Sequence, residues 1–164
     1  QIAKLFSGFP QHFDSFRSCN VGSKTDSWCG SCPKCLFTYS ILSPFIPPEK
    51  LKMIFGKDLF ADEKLLPVFD ELTGKSAVKP FECVGTPDEV QAALSNTINK
   101  WEGSELPFLL RQFKSRVSTQ QFEDLLRSYE SENYLTPDFA KVLRVALSQK
   151  QDVDFKAFME SLLE

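Results

Sequence analysis

Four cysteines, Cys19, Cys29, Cys32 and Cys35, stand in the pattern Cys-x9-Cys-x2-Cys-x2-Cys. Thiolates at this spacing are metal ligands. Two-residue gaps let the chain turn so that successive sulfurs face one centre, and the longer loop returns Cys19 to close the site. Gly30, inside the first two-residue gap, permits a tight turn and leaves room for backbone N–H groups to approach sulfur. Four thiolates complete a tetrahedron around zinc and leave no open position, so the ion would stabilise rather than catalyse. An iron–sulfur cluster is the rival, because cysteines at two-residue gaps also hold clusters. Free or disulfide-bonded thiols are the third possibility. His12, the only histidine, reads as a surface or helix residue, since four thiolates already suffice.

A second stretch with chemical potential is Lys79-Pro80-Phe81-Glu82-Cys83-Val84-Gly85-Thr86. It leads into Thr86-Pro87-Asp88-Glu89, a strong helix start in which Thr caps, Pro opens the first turn and Glu reaches back. An exposed helix N-terminus offers N–H groups to phosphate or carboxylate. Lys79, Gly85 and Thr86 are therefore candidate substrate contacts. Glu82 can exchange a proton, and Cys83 near a helix start can act as base or nucleophile, which makes both candidate catalytic residues. The plainer alternative is a tight loop with Cys83 as a small buried hydrophobe and Glu82 in solvent.

The elements that must position these groups are helical. Lys34–Ser43 suits a short helix stopped by Pro44 and Pro47-Pro48. Pro48 opens a second, with Leu51, Ile54 and Phe55 inward and Gly56 at its end. Leu65, Leu66, Phe69 and Leu72 mark a third, ending at Gly74, and Val90 to Trp101 recur at helical spacing. Further on, apolar stripes run through Leu106–Phe113, Phe122–Tyr129 and Phe139–Leu147, and Phe155, Phe158, Met159 and Leu162 close the chain. Strand signals are confined to Val78–Val84. The fold class is mainly α, a helical region with a small four-cysteine loop and few or no strands. Two parts are expected: residues 1–46, carrying the cysteines, and residues 47–164, helical.

The bulk properties narrow the function. Across 164 residues the net charge is −3 and no basic block appears, which argues against nucleic acid or an anionic membrane surface as partner. Sixteen phenylalanines need a core. The longest apolar stretch, Leu36–Ile46, is interrupted and far shorter than the roughly 20 residues of a spanning helix. No signal-peptide pattern opens the sequence, and clustered rather than paired cysteines fit a reduced, cytoplasmic setting.

Two resemblances attach to these residues. Ser18-Cys19-Asn20 with Trp28-Cys29-Gly30-Ser31-Cys32-Pro33-Lys34-Cys35 is similar to the zinc segment of 7-cyano-7-deazaguanine synthases, which are ATP-pyrophosphatase enzymes. Broader is the resemblance to the MurL family, the UDP-N-acetyl-muramoyl-L-alanyl-L-glutamate epimerases. It rests on three blocks in order: Trp28–Cys35, then Ile54-Phe55-Gly56-Lys57-Asp58-Leu59-Phe60, then Lys79–Thr86. It implies structural zinc on the four cysteines, a UDP-linked muramoyl dipeptide as substrate, and ATP with Mg2+ in the full-length enzyme. It also implies an upstream ATP-binding domain as partner, completed by residues 1–46. A glycine-rich loop that cradles pyrophosphate is missing: Ser7-Gly8-Phe9-Pro10 has one glycine and a proline. That loop is expected upstream, and these residues alone are expected not to turn over. The rivals are another ATP-pyrophosphatase enzyme, and a non-catalytic zinc-stapled helical module that would expose an apolar patch from Leu106 onward.

Overall fold

Pro33 can open a helix at no hydrogen-bonding cost, because the first helical N–H has no partner within the helix. It does so here in a computed structural model that describes residues 1–78, 80, 84–102, 105–113, 119–128 and 134–148. Helix α2 (Pro33–Leu42) follows α1 (Ile2–Ser7), with extended Cys32 as its N-cap. Cys35, Leu36, Thr38, Tyr39, Ser40 and Leu42 are all buried, so α2 has no solvent face worth the name. A helix buried on several sides is the centre of a fold. It packs against α1, α3 (Pro48–Phe55), α4 (Leu66–Leu72) and α5 (Pro87–Asn99).

The boundaries follow local chemistry. Pro48 opens α3, and Gly56 closes it at φ 77°, a left-handed conformation that costs glycine little. At the start of α5, Thr86 Oγ1 accepts the Glu89 N–H at 3.3 Å and the Glu89 carboxylate accepts the Thr86 N–H at 2.7 Å. This capping box is the one read from the sequence. Asp58 and Asp62 each cap a short 3-10 turn, Leu59–Ala61 and Glu63–Leu65.

Helices α2 and α5 run in the same direction. Near their starts, Phe37 crowds Gly85, and at their ends Ser43 and Thr97 share a 2.6 Å hydrogen bond. Ser40 of α2 and Ala93, Ser95 and Thr97 of α5 are all buried. One continuous apolar cluster includes Phe13, Leu36 and Tyr39 as well as Phe55, Phe69 and Leu94, so the core draws on both sides of residue 46.

The described residues end with α6 (Phe108–Gln112), α7 (Thr119–Arg127) and α8 (Pro137–Ser148). Leu109, Leu110 and Phe122 are buried as their stripes require, and Phe122 stacks on Phe45. Helix α8 departs from expectation. Its apolar stripe is present, but Phe139 is 68% exposed and Leu135, Val142 and Tyr134 are exposed with it. Amphipathic spacing establishes a face, and burial needs a neighbour; among the described residues none covers this one. No strand occurs among the described residues. Val78 and Val84, the ends of the strand candidate, are irregular, while residues 79 and 81–83 lie outside the described residues. So does the terminal stripe of Phe155, Phe158, Met159 and Leu162.

No part of the Leu36 surface is exposed at the centre of α2. Leu36→Ala is expected to destabilise the fold by about 3 kcal/mol through lost transfer energy and a residual cavity. Equilibrium denaturation of the variant against the wild type measures it.

Candidate metal centre

Four sulfurs converge where the first loop meets α2. All four Sγ atoms of Cys19, Cys29, Cys32 and Cys35 lie within 4.8 Å of one another. Cys19–Cys32 are separated by 3.9 Å, Cys29–Cys35 by 3.7 Å and Cys32–Cys35 by 3.5 Å. A disulfide would need about 2.0 Å, and the thiols are free. A regular tetrahedron with zinc–sulfur bonds of 2.3 Å has edges of about 3.8 Å, and the observed separations bracket that length. The donor set therefore fits one tetrahedral ion. In a four-iron cluster each thiolate binds a different iron, which spreads the sulfurs more widely than they are here.

Each ligand is placed by its own element. Cys19 precedes the 3-10 turn Gly22–Thr25, and its sulfur accepts N–H groups from Gly22 at 3.2 Å and Cys29 at 3.4 Å. Cys32 caps α2, and Cys35 sits in that helix's first turn, where the dipole favours negative sulfur. Gly30 adopts φ 65°, so the expected tight turn exists and a side chain there would be strained.

Without a metal the thiols divide their protons unevenly. Burial pushes the Cys32 thiol up to about 11 and raises Cys35 as well. Cys29 also pays for burial. Hydrogen bonds, led by the Ser31 hydroxyl at 3.5 Å, outweigh that and bring it down to about 6.

A train of aromatic rings ties this loop to the core. Trp28 contacts Phe16 at 5.4 Å and Phe55 at 4.4 Å, and Tyr39 contacts Phe55 and Phe60 at 5.1 and 4.8 Å. The Tyr39 hydroxyl donates to Asp58 at 3.2 Å. Burial, followed by the Asp58 charge, raises the pKa of this phenol. Thus the block Ile54–Phe60 folds directly against the cysteine block.

The third block is only partly described: Lys79, Glu82 and Cys83 lie outside the described residues. Gly85 and Thr86 stand at the start of α5, beside Phe37 of α2. The carboxylate at this helix start is Glu89's own. Sequence reasoning did not single out Ser31 or Tyr39. A hydroxyl inside a cysteine knuckle is a usable signal for Ser31, whereas the pairing of Tyr39 with Asp58 has none. Nor did it anticipate an open cleft of about 770 Å³ at the opposite ends of α2 and α5, lined by Phe45, Lys52, Asp58, Lys100, Trp101 and Arg111 among others. Lys52 is paired there with Glu49 and Asp58, and Arg111 with Glu105.

Comparison with known proteins agrees with the three-block pattern. Residues 15–127 match the family described as the MurL C-terminal domain. The UDP-N-acetyl-alpha-D-muramoyl-L-alanyl-L-glutamate epimerases of Micromonospora sp. and Salinispora tropica are each 44% identical over 98 residues, covering 57% of this chain and 22% and 21% of those proteins. The protein of that name from Xanthomonas oryzae pv. oryzae is 34% identical over 110 residues, covering 63% of this chain and 24% of its own length. The chain thus matches less than a quarter of the length of these curated relatives. No solved structure matches it.

Metal uptake here is expected to depend on pH with a definite sign. Cys32, at about 11, and Cys35, raised by burial, hold their protons at neutral pH and must release them to bind. Cys29 adds a further proton only as pH falls through about 6. Zinc affinity should therefore rise with pH, by roughly 100-fold per unit from the first two thiols. Competition with a chelator of known affinity at pH 6.5 and 7.5 measures the slope, and a flat response would contradict it.

Proposed function

This chain belongs to the MurL C-terminal domain family, and from that premise we propose that it works within a longer epimerase acting on UDP-N-acetyl-muramoyl-L-alanyl-L-glutamate in peptidoglycan precursor synthesis. The match over residues 15–127, which takes in all four cysteines and all three sequence blocks, carries this reading. The enzyme is an isomerase that inverts the terminal L-glutamate, uses ATP and Mg2+, and acts in the cytoplasm. Among the described residues no helix is long and apolar enough to cross a membrane.

The chemistry explains the need for ATP. An α-proton beside a free carboxylate is barely acidic, because removing it adds charge to a group already charged. Transfer of AMP from ATP to the carboxylate, with release of pyrophosphate, yields an acyl-adenylate whose carbonyl no longer carries the carboxylate charge, and this acidifies that proton. One group removes it, another returns a proton on the opposite face, and water then releases AMP and the D-glutamate carboxylate. Glu82 and Cys83 are the proposed proton-transfer residues, and Lys79, Gly85 and Thr86 the proposed substrate contacts.

The four cysteines are proposed to hold a structural zinc ion, supported by separations that suit a single tetrahedral centre. Residues 1–46 then form the zinc segment that completes an upstream ATP-binding domain, and residues 47–164 the helical C-terminal part. Local backbone bonding supports an upstream site for ATP. The N–H groups of Gly8 and Phe9 are already spent on Leu5 and Phe6, so this segment offers no cradle for phosphate.

A second reading, a zinc-stapled module that binds a protein partner, is favoured by one observation, the exposed Phe139 and Val142 of α8. One assay separates the two. The full-length protein is incubated with UDP-N-acetyl-muramoyl-L-alanyl-L-glutamate, with and without ATP and magnesium, and glutamate chirality is then analysed, with this chain alone as control. ATP-dependent D-glutamate from the full-length protein only is the expected result; no inversion beside an active reference enzyme would favour the binding module. In the same assay Cys83→Ala is expected to lower turnover at least 100-fold, the usual scale of a lost acid or base. Unchanged inversion would remove Cys83 from the mechanism.

A further inference from the structure

Lys57 is distant from the cysteines in sequence and reaches their knuckle in space. A Cβ at Gly30 would stand 2.7 Å from Lys57 Cε and 3.5 Å from its Nζ, so the lysine stem lies against the bare α-carbon of the turn. Gly30 is buried although it adjoins the partly exposed Cys29, the least buried of the four ligands. Beyond the turn, Lys57 Nζ ends 2.7 Å from the Asp62 carboxylate, and Asp62 is itself fixed by accepting the Lys64 N–H at 3.1 Å. The glycine therefore does two things: its positive φ makes the turn, and its missing side chain seats a lysine from another element.

We propose that Lys57 and Asp62 form a strap over the outer face of the metal knuckle that slows loss of zinc. This rests on the zinc reading above. A chelator must reach a sulfur or the ion, and the partly exposed Cys29 beside the Gly30 turn is the approach. The methylene stem blocks that approach, and the ion pair keeps the stem in place. An exposed ion pair adds little to global stability. Here it need only bias one side chain, which is a kinetic role. Changes in the shell around a metal's ligands commonly alter retention by 10-fold or more.

The test uses the full polypeptide carrying these residues, loaded with zinc and chased with excess 4-(2-pyridylazo)resorcinol, with release followed by absorbance. Lys57→Ala is expected to release zinc roughly 10-fold faster at unchanged starting stoichiometry. Asp62→Asn, which keeps the capping acceptor and removes the ion pair, is expected to give a smaller acceleration. The double variant should match Lys57→Ala, because the anchor matters only while the stem is present. Should Lys57→Ala fail to fold by circular dichroism, Lys57→Met, which keeps a stem without the charge, should behave like Asp62→Asn. Release from Lys57→Ala at the wild-type rate, or effects that multiply in the double variant, would overturn the strap. A wild-type protein that holds no zinc when folded with the metal would overturn the zinc reading, and the strap with it.

Discussion

Bringing four sulfurs to one point constrains four separate pieces of backbone at once. Cys19 lies in a loop, Cys29 beside a glycine turn, Cys32 at a helix cap and Cys35 within the helix, and all four sulfurs lie within 4.8 Å. Because the last two ligands belong to α2, the geometry of the loop is also the geometry of the central helix. Helices α1, α3, α4 and α5 pack on α2, so an error at the knuckle would propagate into the core. Thiols that burial keeps protonated, such as Cys32 and Cys35, have little reason to gather by themselves. An ion that replaced their protons would supply the attraction, and its binding energy would become folding energy.

The parallel arrangement of α2 and α5 gives the molecule two chemically different ends. Both N-termini lie at the cysteine end, where the positive ends of the helix dipoles suit thiolates and the Glu89 carboxylate. Both C-termini face the open cleft, where Lys100, the C-cap of α5, donates to the Pro44 carbonyl just past α2. A hydroxyl bridge between Ser43 and Thr97 satisfies polar groups that burial would otherwise penalise.

Two of the three blocks that suggest the family in the sequence are neighbours in space, and Gly85 of the third lies beside α2. Trp28 stacks against Phe55, Lys57 lies over Gly30, and Gly85 meets Phe37. The matched region stops at residue 127, before α8, and α8 is also where an apolar face stands exposed. The part of the chain shared with the relatives is therefore the part that builds the core around the metal knuckle.

Local chemistry made much of this legible from residues alone. Proline starts, the Thr86–Glu89 capping box, glycine stops and helical stripes located α2, α3, α5 and α8 to within a residue or two, because caps and periodicity are short-range effects. The cysteine spacing pointed to the four sulfurs that cluster for the same reason: two-residue gaps leave few ways for the chain to turn. What remained hidden were contacts between residues far apart along the chain. Nothing near Lys57 announces Gly30, and nothing near Tyr39 announces Asp58. The stripe of α8 shows the opposite case. Its residues have the spacing of a buried face, yet the fold leaves Phe139 in solvent. Periodicity depends on the helix itself, whereas burial, pairing and the closing of a knuckle by a distant lysine depend on which elements meet, and only the tertiary structure decides that.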